Sequence, residues 1–375
     1  MSDRKLDVYM GERHVGTLAQ TADRRGAFAY SEEWLENGFA ISPFSLPVEQ
    51  KVFVPAGNVF DGLWGVFADS LPDAWGRLLV DRMLRERGIS PDGAVAFERL
   101  AIVGDSGMGA LRYRPKWDIA RDAALRDLDE LCAKCHAVLN RENISDLDEL
   151  FRMGGSSGGA RPKIMTDTWI IKFPASKDVK DSGTMEKAYM DCAADCGIIV
   201  PETRLMPSRQ CGGYFAIRRF DRENRKGAIV RQHMLTAAAI LEVDWRLPSL
   251  DYHTLMKLTR ILSRDNEADT EQMYRRMCFN VFAHNRDDHA KNFSWIYDER
   301  MDCWHPSPAY DLTWSSTYFG EHSTTVDGNG KNPGTKELVA VGRAAGMAQK
   351  VCLRIAGEIR ERTRSLEEEY QDARS

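Results

Sequence analysis

Residues 284–293 read His-Asn-Arg-Asp-Asp-His-Ala-Lys-Asn-Phe and are dense in side chains that handle protons, phosphates and metal ions. Within this segment, Asp287 and Asn292 lie five positions apart. A carboxylate can orient and deprotonate a hydroxyl group, whereas an amide oxygen suits a hard cation such as Mg²⁺. The same spacing also fits a solvated, charged turn, so the surrounding elements have to decide between the two interpretations.

The elements around this segment favour a role in chemistry. Residues 270–283 carry apolar side chains at helical period, which predicts a core helix with residues 284–292 at its C-terminal end. Residues 293–297 predict a short strand, and Asp311 follows another strand-like stretch. Protein kinases use this five-residue spacing for a catalytic aspartate and a metal-binding asparagine, with a further metal-binding aspartate downstream.

A glycine-rich stretch forms the second candidate site. Residues 153–163 contain four glycines and two serines and end in Arg161-Pro162-Lys163. Glycines allow backbone N–H groups to approach a polyphosphate, and the basic residues add positive charge beside it. The stretch lacks the Walker A pattern and precedes a predicted strand, as the glycine-rich loop of a kinase does. A flexible linker between domains is the alternative.

Lys172 lies within the apolar strand pattern of residues 168–173. A lysine in a buried strand is costly unless an anion pairs with it. Either a phosphate or Glu186, which begins the next predicted helix, could be that anion. The alternative is an edge-strand lysine whose amine reaches solvent. The strand pattern at residues 214–220 then leads to the place where a hinge between two lobes would fall.

Composition narrows the functional classes. The chain has 375 residues, of which 43% are hydrophobic and 29% charged, and its net charge is −5. This acidic balance argues against direct nucleic-acid binding by the whole surface. No signal-peptide core follows the N-terminus and no apolar run is long enough for a bilayer. We therefore expect a cytoplasmic protein, without membrane contact, whose eight cysteines are reduced thiols.

The remaining patterns predict an α+β protein. Short strands are expected in residues 6–41, including residues 34–35. Helical period is found in residues 73–84, 127–139, 231–241, 252–261 and 339–366.

The glycine-rich stretch is followed along the chain by the Lys172 strand, the segment of Asp287 and Asn292, and Asp311. Taken together in this order, these segments resemble the HipA family of serine/threonine kinase toxins from bacterial type II toxin–antitoxin operons. The resemblance covers nearly the whole chain and is most specific at the Asp-Asp-His-x-Lys-Asn segment. It depends on residues 109–113, 156–163, 170–174, 219–222, 287–293 and 310–312.

The resemblance implies an α+β, two-lobed protein-kinase-like fold. A β-rich N-terminal subdomain with some helices would occupy residues 1–115. A nucleotide-binding lobe with the glycine-rich loop would occupy residues 116–222. A mainly helical catalytic lobe would occupy residues 223–375.

The resemblance also implies residue roles in an ATP- and Mg²⁺-dependent protein kinase. Asp287 would be the catalytic base, and Asn292 and Asp311 would bind Mg²⁺. The chain would phosphorylate its own Ser156 or Ser157, which would switch the kinase off. The nucleotide would contact Gly154, Gly155, Ser156, Ser157, Gly158, Gly159, Ala160, Lys163, Lys172, Arg218, Phe220 and Lys291.

The chain departs from some relatives at two places. Asp288 replaces a glycine, which leaves two adjacent carboxylates, and the five-residue spacing to Asn292 selects Asp287 as the base. The roles of Asp288 and His289 stay open beyond shaping the loop. Arg218 stands where some relatives carry an acid, so adenine contacts there would come from the backbone.

Three functions are compatible with these residues. The first is a protein serine/threonine kinase that is the toxin of a toxin–antitoxin pair. The second is a kinase-like enzyme acting on a small molecule. The third is a non-catalytic co-repressor that binds a HipB-like helix-turn-helix antitoxin and contacts DNA only through it. The intact set of Lys172, Asp287, Asn292 and Asp311 argues against a purely structural role.

Overall fold

The structure is a computed structural model that describes residues 5–91, 96–117, 127–142, 147–155, 159–175, 181–317 and 319–366. Its backbone contacts divide the chain into two units. Unit 1 comprises Met1–Gly183, Arg204–Leu235 and Ala239–Val243. Unit 2 comprises Thr184–Thr203, Thr236–Ala238 and Asp244–Ser375. The three-part division expected from the sequence stays a prediction.

Helices and strands are mixed along the chain, which confirms the predicted α+β class. The first elements are β1 (Lys5–Met10), β2 (Arg13–Gln20), β3 (Gly26–Tyr30), α1 (Glu32–Asn37), α2 (Gly65–Ala68), α3 (Ala74–Glu86), α4 (Ala96–Val103), β4 (Leu111–Arg114), α5 (Leu128–Leu139), α6 (Leu147–Gly154), β5 (Lys163–Met165) and β6 (Trp169–Lys172). The next are α7 (Ser182–Asp195), β7 (Thr203–Met206), β8 (Tyr214–Arg218), β9 (Arg222–Arg225), β10 (Ala228–Arg231), β11 (Met234–Thr236), α8 (Ala237–Leu241), β12 (Leu250–Asp251) and α9 (Tyr252–Leu262). The last are α10 (Glu267–Phe282), a 3-10 turn (Ala290–Asn292), β13 (Ser294–Asp298), β14 (Cys303–Pro306), β15 (Thr324–Thr325), α11 (Thr335–Ala344) and α12 (Gln349–Arg362). Within the described ranges, no helix is both long and apolar enough to cross a membrane.

An antiparallel sheet with strand order β3-β2-β1-β4 begins unit 1. Alternation along the strands buries one set of side chains, among them Leu6, Val8 and Leu18. Gly16 pairs with Tyr30 across β2 and β3. A Cβ atom at Gly16 would lie 2.2 Å from a backbone carbonyl oxygen on β3, so the close approach of these strands requires glycine.

A second sheet in unit 1, with strand order β5-β6-β8-β7, carries the two lysines singled out in the sequence. Side chains from α3, α5, α6 and this sheet form one buried cluster that includes Trp75, Leu150 and Ile171. The Trp75 indole N–H donates a 3.0 Å hydrogen bond to the backbone carbonyl of Lys163. The cluster therefore fixes the strands that carry Lys163 and Lys172.

Unit 2 is built around α10, which packs against α9, α11 and α12. Its buried residues include Met273, Tyr274 and Met277. Gly342 on α11 lets the helices approach closely, because a Cβ atom there would lie 2.7 Å from the Tyr274 ring and 2.6 Å from the Cys352 sulfur. With neighbours on several sides, α10 gives the segment that follows it a fixed starting point. Farther along, β13 and β14 form an antiparallel hairpin.

Several helix predictions are confirmed, and two local predictions were wrong. The predicted helices at residues 73–84, 127–139, 252–261 and 270–283 are found as α3, α5, α9 and α10. Residues 34–35 lie in α1 instead of a strand, because the Ser31 hydroxyl caps that helix by accepting a hydrogen bond from the Trp34 amide. Residues 231–241 contain β11 before a short helix, because Arg231 is the last residue of β10 and pairs with Arg222 on β9, so the helix cannot begin there.

Glu242 in unit 1 is expected to make stability depend on pH. Its two carboxylate oxygens accept hydrogen bonds from the Gly65 amide, both at 3.1 Å, and burial raises the pKa of Glu242 to about 7. In the unfolded chain this carboxyl titrates near 4.5. Ionisation therefore disfavours the folded state, and stability should fall as the pH rises from about 4.5 through 7.

Glu242→Gln should remove most of this pH dependence. The amide keeps an oxygen acceptor for Gly65 but carries no charge, so the variant should gain about 1–2 kcal/mol over the wild type at pH 8 and little at pH 5, with solvent screening taken into account. Urea unfolding of both proteins at the two pH values measures the difference. An equal effect of the substitution at both pH values would contradict the assignment.

Candidate active site

The segment after α10 leaves the helix at a defined point. The amide of Asn285 donates to the backbone carbonyl of Asn280 at 2.9 Å, and its side-chain amide donates to the Asn280 side-chain oxygen, also at 2.9 Å. His284 has a φ of 54°, a left-handed conformation that commonly ends a helix. The helix end is thus closed by both backbone and side-chain bonds before the chain enters the 3-10 turn.

The five-residue spacing of Asp287 and Asn292 folds into a compact turn. The Asn292 side-chain nitrogen donates a 2.6 Å hydrogen bond to the backbone carbonyl of Asp287, which fixes the orientation of the amide. The Asp287 side chain is 59% exposed, and His289 Nε2 lies 3.7 Å from its Oδ1. The structure therefore brings together an accessible carboxylate and an oriented amide.

The neighbouring acid, Asp288, lies in a different environment. Its carboxylate is 0% exposed and accepts hydrogen bonds from Tyr252 Oη at 2.9 Å, His322 Nδ1 at 2.9 Å and the Thr324 amide at 3.1 Å. Burial, with the nearby Asp288 charge, raises the pKa of Tyr252 far above its ordinary value, so this phenol stays a donor. Sequence reasoning missed these partners, which lie 34 to 36 positions away from Asp288.

Asp311 adopts a φ of 52°, which residues other than glycine rarely do. The hydroxyl of Tyr310 donates a 2.8 Å hydrogen bond to the backbone carbonyl of Lys291. The structure thus joins the residue before Asp311 to the residue before Asn292, so the two predicted metal-binding residues are linked through their chain neighbours.

Trp245 packs on residues 284–293, the segment that carries Asp287 and Asn292, and this contact was not foreseen. Its ring centroid lies 4.8 Å from that of His289, and the Lys291 ammonium lies 5.6 Å from the centroid of its ring. A cation near an aromatic face is attracted by the ring quadrupole. Trp245 therefore orients His289, whose role the sequence left open, and Lys291, a predicted nucleotide contact. No motif around residue 245 signalled this contact.

The side-chain oxygens of Asn292 and Asp311 are of the kind that a hard divalent cation prefers. Mg²⁺ prefers carboxylate and amide oxygens, keeps several waters and commonly shares its coordination with substrate phosphates. Among the residues that the structure describes, no group of three or more His, Cys, Asp and Glu side chains is arranged to hold a metal ion.

Unit 1 holds the described part of the glycine-rich loop. At Gly154, where α6 ends, a Cβ atom would lie 2.7 Å from the Lys163 carbonyl oxygen. Gly159 has a φ of 78°, and a Cβ atom there would lie 2.6 Å from Lys163 Nζ. Residues 156–158, which include both predicted phosphorylation sites, lie outside the described residues. The loop residues that are predicted to contact the nucleotide and lie within the described ranges are Gly154, Gly155, Gly159, Ala160 and Lys163.

Lys163 and Lys172 are direct partners across β5 and β6. Residues paired in this way share one face of a sheet, where two like charges are unfavourable unless an anion neutralises them. Lys163 is buried, and the Lys172 ammonium lies 5.6 Å from the centroid of the Phe215 ring. The pair concentrates positive charge on one patch, as phosphate binding requires.

Arg218 and Phe220 lie at the end of β8. Arg218 is exposed and is the direct partner of Trp169 across β6 and β8. Phe220 is half-buried. Their predicted contact with adenine stays a prediction.

Asp221, between these residues and β9, forms a buried clamp. It accepts hydrogen bonds from the Gly109 amide at 2.8 Å, Arg219 Nη2 at 2.9 Å and Arg222 Nη1 at 2.5 Å. Burial raises the pKa of Asp221, but the charges of Arg219 and Arg222 outweigh it and leave that pKa below its ordinary value. The clamp ties residues 219–222 to the loop that precedes β4.

Asp221→Asn should destabilise unit 1 by about 3–5 kcal/mol, because removing one partner of a buried ion pair leaves the arginines uncompensated. Thermal and urea unfolding measure the loss. Glu223→Gln is the matched control, since Glu223 is an exposed acid paired with Arg225 on the same strand, β9, and should matter little. Equal losses in the two variants would contradict the clamp.

Comparison with protein-family models gives two matches. The HipA N-terminal domain matches residues 6–114, and the HipA-like C-terminal domain matches residues 155–366. The second match contains Lys163, Lys172, Asp287, Asn292 and Asp311.

Curated relatives and a solved structure agree with these matches. Y4dM of Sinorhizobium fredii, provisionally named a kinase, is 26% identical over 96% of this chain and 90% of its own. The serine/threonine-protein kinase toxin HipA of Shewanella oneidensis is 23% identical over 82% of this chain and 74% of its own. A chain from the Shewanella oneidensis complex of HipA, HipB and operator DNA has a TM-score of 0.73 at 18% identity, over 98% of this chain and 91% of that one. The fold is therefore the kinase-like fold of HipA, and the chain belongs to the HipA family.

Proposed function

We propose that the protein is an ATP-dependent serine/threonine kinase and the toxin of a toxin–antitoxin pair. The observation that carries the proposal is the turn in which Asn292 binds the Asp287 carbonyl while the Asp287 carboxylate stays exposed. Protein kinases use these residue types at this spacing for phosphoryl transfer. The HipA relative from Shewanella oneidensis, which is named a kinase toxin, supports the same chemistry.

In this proposal, the chain contributes position and charge. When bound, ATP supplies the γ-phosphoryl group and Mg²⁺ offsets negative charge on its phosphates. Lys163 and Lys172 would attract the phosphates, and Asn292 and Asp311 would hold the metal ion. Asp287 would orient the substrate hydroxyl, accept its proton during transfer and release that proton to solvent. Such sites act mainly by positioning and electrostatic stabilisation.

Self-phosphorylation of Ser156 or Ser157 is part of the proposal. A phosphoserine carries close to two negative charges at neutral pH. Placed in the glycine-rich loop, it would compete with ATP for Lys163 and Lys172, and the kinase would be switched off. Phosphopeptide mapping after incubation with ATP tests which serine is modified.

A HipB-like helix-turn-helix antitoxin is the proposed partner, in the cytoplasm. The matched solved structure is a complex of HipA with HipB and operator DNA, which favours this role. The net charge of −5 leaves contact with DNA to the antitoxin. Co-purification with the antitoxin, followed by operator binding with and without this chain, tests the partnership.

Incubation of the purified, dephosphorylated protein with γ-labelled ATP and Mg²⁺ tests the kinase proposal. We expect label on the chain itself and on protein in a bacterial lysate, and none after Mg²⁺ is chelated. Label confined to small molecules would instead favour a small-molecule kinase. Absence of both nucleotide binding and labelling would refute the proposal.

A further inference from the structure

Residues 284–293, the catalytic segment of the proposed kinase, contain two acids, and the proposed mechanism does not use the second of them, Asp288. We propose that Asp288 is a positioning residue: it fastens residues 322–325 to the catalytic segment and thereby holds Asp287 in place for phosphoryl transfer. This inference rests on the proposed kinase function for its consequence in activity, but its structural part stands on the hydrogen bonds alone.

A continuous chain of buried hydrogen bonds ends on the Asp288 carboxylate. Asn285 donates to the Asn280 side chain at 2.9 Å, Asn280 donates to Tyr252 Oη at 2.9 Å, and Tyr252 donates to Asp288 at 2.9 Å. From the other side, His322 contacts the same oxygen at 2.9 Å. Because an ionised carboxylate can only accept, His322 must carry its hydrogen on Nδ1.

Residues 322–325 are held to the catalytic segment at several further points. The Thr324 amide binds the second Asp288 oxygen at 3.1 Å, and the Thr324 hydroxyl donates to the Asp288 backbone carbonyl at 2.5 Å. The Ser323 amide and hydroxyl both donate to the Arg286 carbonyl, at 3.1 Å and 3.0 Å. Asp288 and Arg286, which lies two positions before it, therefore accept all four of these hydrogen bonds.

Residues 322–325 are also bound to other parts of unit 2. Thr324 and Thr325 form β15, which pairs in parallel with β12. The Thr325 hydroxyl donates a 2.7 Å hydrogen bond to Asp251, the residue that caps α9. Asp288 consequently connects the catalytic segment to a part of the structure that is itself anchored, instead of to a loose loop.

This arrangement separates the tasks of the two adjacent acids. Both oxygens of Asp288 are occupied by donors and the side chain is buried, so a substrate hydroxyl has no access to it. Asp287 is the next residue along the chain, so whatever fixes the Asp288 backbone also limits where Asp287 can point. A displacement of about 1 Å at a catalytic group can cost about 100-fold in rate.

Asp288→Asn tests the inference. The amide keeps the size of the side chain, but its NH₂ group faces a site built from donors. We expect the maximal rate of self-labelling from γ-labelled ATP to fall about 10- to 100-fold, with a change of less than about threefold in the ATP concentration that gives half-maximal rate. Hydrogen exchange at the Ser323 and Thr324 amides should accelerate at least about tenfold. Asp298→Asn, which removes the same charge at the last residue of β13, should match the wild type in each measurement.

A second variant keeps the test decisive if Asp288→Asn fails to fold. Tyr252→Phe removes one donor to Asp288 and leaves the ring, and it should slow self-labelling about 2- to 10-fold with faster exchange at the same two amides. Wild-type rates or unchanged exchange in the folded variants would overturn the inference. If the wild type itself does not label, the kinase proposal fails, and the exchange measurements alone decide whether Asp288 anchors residues 322–325.

Discussion

Asp287→Asn should reduce phosphoryl transfer about 10²- to 10⁴-fold and leave the fold intact. The amide has the size of the carboxylate but cannot accept the proton of the substrate hydroxyl, and general bases contribute rate factors of this order. Asn292 donates its hydrogen bond to the backbone carbonyl of residue 287, and the substitution keeps this carbonyl. Since the side chain is mostly exposed, stability should change by less than about 0.5 kcal/mol.

Initial rates of label incorporation from γ-labelled ATP, with thermal unfolding of the same samples, measure both effects. Asp298→Asn, in the same unit but outside the catalytic segment, should keep the wild-type rate. If Asp287→Asn retained more than about a tenth of the activity, Asp287 would not be the base.

Asp311→Asn should reduce the rate about 10²- to 10³-fold and raise the Mg²⁺ concentration that gives half-maximal activity. Losing a carboxylate from the proposed metal site would weaken the charge stabilisation of the transferring phosphoryl group. Asparagine is the informative substitution, because it tolerates the left-handed backbone that Asp311 adopts at φ 52°, whereas alanine would add strain.

Mg²⁺ titrations of the labelling rate measure this change. Asp327→Asn is the matched control, since Asp327 also has a φ of 52° in unit 2 and is paired with His253 outside the catalytic segment. Its Mg²⁺ dependence should equal that of the wild type. An unchanged Mg²⁺ dependence in Asp311→Asn would exclude it as a metal-binding residue.

Local sequence patterns were sufficient for the parts of the site that depend on near neighbours. The apolar period of residues 270–283 predicted α10, and the turn after it follows from the five-residue spacing of Asp287 and Asn292. The pairing of Lys163 with Lys172 across β5 and β6 could not be predicted. Strand register depends on packing against elements that are distant in sequence, such as Trp75 on α3.

Contacts between distant residues account for what the sequence did not reveal. The sequence around Asp288 did not indicate that its side chain is buried, because its hydrogen-bond partners come from α9 and from residues 322–324. Trp245 likewise contacts His289 from far along the chain. The error at residues 34–35 is different in kind, since a serine before two glutamates is a readable helix start that the strand interpretation overlooked.

The chemical identity of the labelled product shows whether the protein transfers the γ-phosphoryl group of ATP to serine or threonine. Dephosphorylated wild-type protein is incubated with Mg²⁺ and ATP labelled at either the γ- or the α-phosphate, and the labelled protein is hydrolysed to its phosphoamino acids. We expect phosphoserine or phosphothreonine from γ-labelled ATP, none from α-labelled ATP, and none from Asp287→Asn. Release of the γ-label only as inorganic phosphate, or label transferred from the α-position, would contradict it.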